Sequence, residues 1–268
     1  MQHDPEQGVT EVIASLPMYV RPELQTTHQR YWGAIRCALA QRGIESSPDL
    51  AQGTALEKVW NDPALVLSQT CGLPYRTRLH GKVGLVGTPD YGLPGCAAEY
   101  YSSVIVVRKD DPRTALGAFG NARMACNTVG SQSDFAALYA HLARGGNWIA
   151  DRQCSGSHVA SARMVAQHSA DIAAIDAQTW RYITRFDPWA EKLRVLDRTA
   201  PTPGTLHPQP AKDTNAVFDA VSEAIAGLSH SDADALCLRG IVRIPAEAYL
   251  AVSTPPASAF QALRRQAM

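Results

Sequence analysis

No window of this sequence strings together the roughly 18 apolar residues that a membrane-spanning helix needs. No excess of charge stands out either: 25 Lys and Arg balance 25 Asp and Glu over 268 residues. That balance, with a charged fraction of 19%, excludes the basic surfaces that hold nucleic acid or anionic lipid. Any anion bound here must be held by hydroxyls and helix dipoles, because the sequence shows no Lys/Arg cluster. The six cysteines (Cys37, Cys71, Cys96, Cys126, Cys154 and Cys237) show neither a CxxC pair nor a metal-ligand spacing. No metal centre is expected, and each thiol reads first as a small buried residue, Cys37 and Cys237 as buried helix residues. In an oxidising compartment Cys71–Cys96 or Cys126–Cys154 could bridge. Met1–Gly8 contains no basic segment and no apolar segment, so no secretory signal is read there. Internal repeats and low-complexity tracts are absent as well.

What is present is a stretch from Asn127 to Asp176 that twice passes from an apolar strand through a small polar loop into a helix. The first pass is Ala-Arg-Met-Ala-Cys-Asn, then Thr128 to Ser133, then a helical face with Phe135, Leu138, Tyr139 and Leu142. The second runs from Asn147 to Cys154, through Ser155-Gly156-Ser157-His158, into a helix with Val159, Ala162, Val165 and Ala166 inward. A third strand, Asp171 to Asp176, ends on a carboxylate. Ser before a helix is first of all an N-cap. Two such loops in consecutive units also aim unpaired N–H groups and positive dipole ends at one place, which suits an oxyanion.

The rest of the chain alternates strand and helix. Residues 11–19 read as a buried strand, followed by a helix with Leu24, His28, Tyr31, Ile35 and Leu39 at helical spacing and a stop at Gly43. Ala64 to Gly72 reads as an apolar strand with a polar C-terminal end; ligands of open α/β sheets sit at such ends, so Tyr19, Gln69 and Thr70 become candidates. Lys82–Gly87 reads as a short strand, Glu99–Arg108 as a long one, and Leu193–Thr199 as another that runs into Ala200–Gly204, followed by a Pro-rich loop ending at Pro210. Residues 214–227 and 257–265 read as helices, and 240–246 as a short extended segment. The expected fold is α/β: two lobes joined by two crossing strands, with a ligand cleft between them. The first lobe would comprise residues 1–100 and 195–268 and the inserted second lobe 101–194.

The sequence resembles the phosphate/phosphonate-binding family of ABC-transporter substrate-binding proteins, which have the type II periplasmic binding fold. The residues that carry the resemblance are Leu67–Gly72, Tyr100-Tyr101-Ser102, Asn127 with Ser131-Gln132-Ser133, Ser155–His158, and Ala170–Asp176. It implies a monomer that closes on a small oxyanion (phosphate, phosphite or a phosphonate) and docks on a membrane permease. Catalytic residues, cofactors, metals and nucleic-acid partners are not implied. The implied location is periplasmic, with cytoplasmic as the alternative. By resemblance, Ser131 and Ser133 with the amides following them would hold anion oxygens, with Gln132 also in the ligand set; Ser157 and His158 would act from the second helix start, and Tyr101 would reach in from the crossing strand. Asp176 would accept a hydrogen bond from a protonated oxyanion or an ammonium group, which sulfate cannot supply. Two positions depart from the family pattern: Asp134 and His168 stand where Gly is usual. Asp134 could cap the helix and compete with the anion. Two other functions stay open: an enzyme on the same fold (related to thiamine-pyrimidine synthases, or a hydrolase using Cys154 and His158) and an intracellular anion sensor.

Overall fold

The computed structural model describes residues 12–143, 149, 151–207 and 213–264. Met1–Gly8, residues 147, 148 and 150 of one expected strand, the end of the Pro-rich loop and Arg265 lie outside these. The strands are β1 (Ile13–Ser15), β2 (Leu65–Cys71), β3 (Thr88–Asp90), β4 (Tyr100–Tyr101), β5 (Ser103–Arg108), β6 (Met124–Cys126), β7 (Arg152–Cys154), β8 (Ile172–Asp176), β9 (Leu193–Arg198), β10 (Thr202–His207) and β11 (Gly240–Val242). The helices are α1 (Gln25–Ala40), α2 (Leu56–Trp60), α3 (Gly72–Pro74), α4 (Ala137–Ala143), α5 (His158–Ala166), α6 (Ala177–Phe186), α7 (Thr214–Ala226), α8 (His230–Leu236), α9 (Ala246–Leu250) and α10 (Ala257–Arg264). Two π-helical turns, Tyr75–Leu79 and Gln132–Ala136, follow α3 and precede α4.

The chain divides into two compact units. The first comprises Met1–Gln69, Gly81–Val86 and Leu206–Leu236; the second comprises Thr70–His80, Gly87–Thr205 and Cys237–Met268. In the first unit β1 pairs in parallel with β2, Ile13 opposite Leu65 and Ser15 opposite Ser68. The α1 face that buries Tyr31, Ile35 and Leu39 packs on α7. A bidentate pair from Arg30 to Asp232, 2.9 Å at Nε, ties α1 to α8. Gly43 ends the α1 segment at φ +67°, a conformation that costs other residues a Cβ clash.

The second unit is built on a sheet of order β7-β6-β8-β5-β9. β6 runs parallel to β7 and β8, while β5 runs antiparallel to β8 and β9. Both faces are covered, which is why its central strands read as unbroken apolar runs. Ile105, Val107, Met124 and Ile172 pack under Phe135, Leu138 and Leu142 on one face. Val104, Val106, Ala173 and Ile175 pack with Ala162, Val165 and Ile183 on the other. Each fully buried Val or Ile contributes about 1.5–3 kcal/mol. The topology places the C-terminal ends of β6, β7 and β8 and the start of β5 along one edge, with Cys126 opposite Cys154 and Asp176 opposite Ser103.

Several expectations are corrected. Lys82–Gly87 forms no strand; Thr88–Asp90 does, because its backbone finds an antiparallel partner in β11. The long strand near residue 100 breaks at Ser102, whose carbonyl accepts the Ala177 N–H instead of a ladder bond. Part of the expected Pro-rich loop is a strand, β10, in which Pro203 sits opposite Tyr100. Cys37 is exposed on α1, and Cys237 follows α8 at φ +52° instead of lying in a helix.

Candidate functional site

Three helical segments open at the common edge of the second sheet, each capped by the residue named from the sequence. Ser131 Oγ accepts the Asp134 N–H at 3.3 Å, Ser157 Oγ accepts the Ala160 N–H at 3.1 Å, and Asp176 Oδ1 accepts the Gln178 and Thr179 N–H groups at 2.9 Å each. The first two loops are tied together by backbone. Gly156 at φ +85°, a left-handed geometry that favours Gly, donates its N–H to the Asn127 carbonyl, and Ser155 N–H donates to Cys126.

Inside this frame Ser131, Ser133 and His158 form a chain. Ser133 Oγ lies 2.8 Å from His158 Nε2 and 3.4 Å from Ser131 Oγ. Burial lowers the His158 pKa to about 4, offset in part by the Ala174 carbonyl, so the ring is neutral at pH 7. A neutral imidazole carries one N–H and one lone pair. Its Nδ1 is buried without a hydrogen-bond partner among the described residues. Two hydroxyls and a neutral ring can reorient to give an oxyanion three donors with no charge of their own. Ser103, which the sequence reading passed over, joins this chain to Asp176: it pairs with Asp176 in the ladder and donates from Oγ to the Ser133 carbonyl at 2.5 Å.

The carboxylates differ. Asp176 is 1% exposed and spends Oδ1 on the α6 cap. Asp134 does not cap its helix, since Ser131 does; it reaches back to the Asn127 N–H, and its Oδ1 has no partner among the described residues. Burial raises its pKa to about 7, against the opposing hydrogen bonds from Asn127 and Ser131. The Tyr101 hydroxyl is buried; burial, then the nearby Cys71 and Asp176, raise its pKa, and the Thr202 side chain opposes the rise.

Two of the amides expected to hold anion oxygens are engaged: Asp134 N–H by Ser131, and Gln132 N–H by Cys71 Sγ at 3.4 Å. Gln132, 1% exposed, accepts at Oε1 from Arg76 Nη1 at 2.6 Å. The site is therefore less devoid of cations than the sequence indicates. Arg76 sits on the first π-helical turn, and Arg78 lies so close to Gly130 that a Cβ there would approach Nη2 to 3.3 Å. Both follow shortly after Gly72, where the chain leaves the β2 end already read as ligand-facing. That proximity in sequence was the available signal.

In the second unit the structure thus brings together Ser131, Gln132, Ser133 and His158, and sets Asp176 at the end of β8 and Tyr101 at the end of β4, just before β5. Ser157 is exposed at its cap. Thr70 is 2% exposed and donates to the Cys71 carbonyl at 3.5 Å. Tyr19 and Gln69 belong to the first unit, where Gln69 Oε1 accepts the Met18 N–H at 3.2 Å and the Tyr19 carbonyl meets His28 Nε2 at 3.1 Å. No group of His, Cys, Asp and Glu among the described residues could hold a metal.

The sheets and the helix starts at their edges define a class, the type II periplasmic binding proteins. Solved structures share the fold. PhnD1 from Prochlorococcus marinus (MIT 9301) in complex with methylphosphonate is 15% identical over 90% of this chain and 95% of its own, with a TM-score of 0.65. XAC2383 from Xanthomonas citri bound to ATP is 14% identical over 95% and 98%, with a TM-score of 0.65. A binding-protein component of an ABC phosphonate transporter from Pseudomonas aeruginosa is 13% identical over 84% and 78%, with a TM-score of 0.61. No curated protein sequence matches. Residues 76–248 match the family of ABC-transporter, phosphonate, periplasmic substrate-binding proteins, and the chain belongs to that family. It is a family of binding proteins, not of enzymes. No helix among the described residues is long and apolar enough to cross a membrane.

Proposed function

We propose that this chain is the substrate-binding component of an ABC importer and takes a small phosphorus oxyanion: phosphate, phosphite or a phosphonate. The observation that carries the proposal is the Ser131–Ser133–His158 chain, with Ser133 Oγ at 2.8 Å from Nε2, gathered where parallel strand ends meet helix starts. Ser131, Ser133 and His158 would donate to the anion, Gln132 and Tyr101 would border it, and Asp176 would accept from a protonated oxygen. Tyr19, Gln69, Thr70 and Ser157 complete the proposed ligand set. Uptake would compact the chain, a monomer would deliver the ligand to a permease, and the place of action would be the periplasm. Native mass spectrometry of the purified protein, followed by titration with each of the three anions, tests this reading. A co-purifying phosphorus acid supports it; a protein that takes up none of the three contradicts it. Small-angle scattering should show a smaller radius of gyration with ligand, and an unchanged radius on demonstrated binding would argue for a rigid pocket.

A further inference from the structure

Arg76 is half-buried, and all three of its hydrogen bonds go to uncharged oxygens. Nε donates to Thr254 Oγ1 at 2.8 Å, Nη1 to Gln132 Oε1 at 2.6 Å and Nη2 to the Ser253 carbonyl at 2.8 Å. Arg21, Arg30, Arg42, Arg108, Arg113, Arg123 and Arg163 each lie within 4.0 Å of an Asp or Glu. Arg76 has no such partner among the described residues. Its ionisable neighbours do not balance it: burial pushes the Cys71 thiol up to about 11 and the Tyr101 phenol well above its usual value, so both are neutral at pH 7. A guanidinium stays charged in proteins, and a partly desolvated charge without a counter-charge is costly.

The position of that charge is specific. Arg76 and Gln132 stand on the two π-helical turns, and such turns recur at functional sites. The bond to Arg76 fixes the Gln132 amide with Oε1 toward the guanidinium, so its Nε2 is available only as a donor. Gln132 lies between Ser131 and Ser133 in sequence, so its bond to Arg76 ties the cation to the loop that carries the hydroxyls proposed for the first anionic group. Three of the five guanidinium N–H bonds are used, which leaves two for a ligand.

We propose that Arg76, with Gln132 beside it, recognises a second acidic group on the ligand, so that the preferred substrates are phosphonates bearing a carboxylate. This rests on the oxyanion reading of the Ser131–Ser133–His158 site. The test is calorimetric titration of the full chain with methylphosphonate, phosphonoacetate and phosphonoacetamide, the last an uncharged match for the second group. Phosphonoacetate should bind roughly ten- to a hundred-fold more tightly than the other two, the worth of a charge-assisted hydrogen bond. Arg76→Gln should abolish that advantage, weakening phosphonoacetate by at least about tenfold more than methylphosphonate. Equal affinities for phosphonoacetate and phosphonoacetamide on the unaltered protein overturn the inference without any variant, and so hold even if Arg76→Gln fails to fold. Equal weakening of all three ligands by Arg76→Gln overturns it too, reducing Arg76 to a brace for residues 253–254. If methylphosphonate binds and the carboxylate adds nothing, only this inference fails; if no phosphonate binds, the oxyanion reading fails with it.

Discussion

Replacing Asp134 with Asn isolates one buried carboxyl. The side chain is 0% exposed, one oxygen accepts the Asn127 N–H, and burial moves its pKa from 3.8 to about 7. As pH rises past 3.8 the unfolded chain ionises this group, while the folded chain keeps its proton until about 7. The unfolded state then binds fewer protons, so stability falls across that window. The gap corresponds to at most about 4 kcal/mol above pH 7, at about 1.4 kcal/mol per pH unit. Asn keeps an acceptor for Asn127 and removes the charge. Thermal unfolding followed by circular dichroism should find Asp134→Asn close to the parent near pH 4 and several degrees more stable near pH 8. His158 acts in the opposite sense. With its pKa lowered from 6.5 to about 4, the unfolded chain takes up a proton first as pH falls, and stability is lost between those values. Both proteins carry His158, so the difference between their curves reports Asp134. Parallel curves from pH 4 to 8 would refute the assignment of a raised pKa to Asp134.

Three further outcomes follow from particular residues. His168 is exposed at φ +63° just past α5, where Ser169 and Ala170 N–H groups close on the Met164 carbonyl. His168→Gly should therefore stabilise by about 0.5–1 kcal/mol, and a lower melting temperature would contradict this. No disulfide joins the six cysteines, but Cys126 and Cys154 stand opposite each other with sulfurs 4.0 Å apart. Under a disulfide oxidant they should be the first to bridge, as peptide mapping would show, whereas Cys71 is held by the Gly130–Gln132 loop; a Cys71–Cys96 bridge forming first would contradict the geometry. Asp176→Asn should keep the α6 cap, since Asn caps as well as Asp, and so leave the melting temperature within about 2 °C while discrimination against sulfate falls; a large loss of stability would show that the charge itself holds the fold.

The parts legible in the sequence are those with local causes. β5, β6 and β8 are buried on both faces and read as apolar runs, α5 and α6 begin at Ser157 and Asp176, and Gly43 stops the α1 segment. The parts that were not legible depend on distant partners. Lys82–Gly87 reads as a short strand around Val83, Leu85 and Val86, yet the pairing with β11 selects Thr88–Asp90. Pro203 argues for a loop, yet it lies in β10 opposite Tyr100. At the site, Ser131, Ser133 and His158 could be named because each stands at a strand-to-helix junction. Their mutual hydrogen bonds could not, since Ser133 and His158 are 25 residues apart. For Arg76 the sequence offers only its place shortly after Gly72; its bond to Gln132, 56 residues away, depends on the fold.

The most direct measurement is calorimetric titration of the parent protein and His158→Ala with phosphate, methylphosphonate and sulfate. His158 shares a hydrogen bond with Ser133 and carries no capping bond, so its loss should spare the fold and cost the anion one donor. The expected penalty is about 1.5–3 kcal/mol, roughly ten- to a hundred-fold in Kd for the phosphorus anions, with sulfate weak throughout. Equal affinities of the two proteins for all three anions would place the binding site elsewhere.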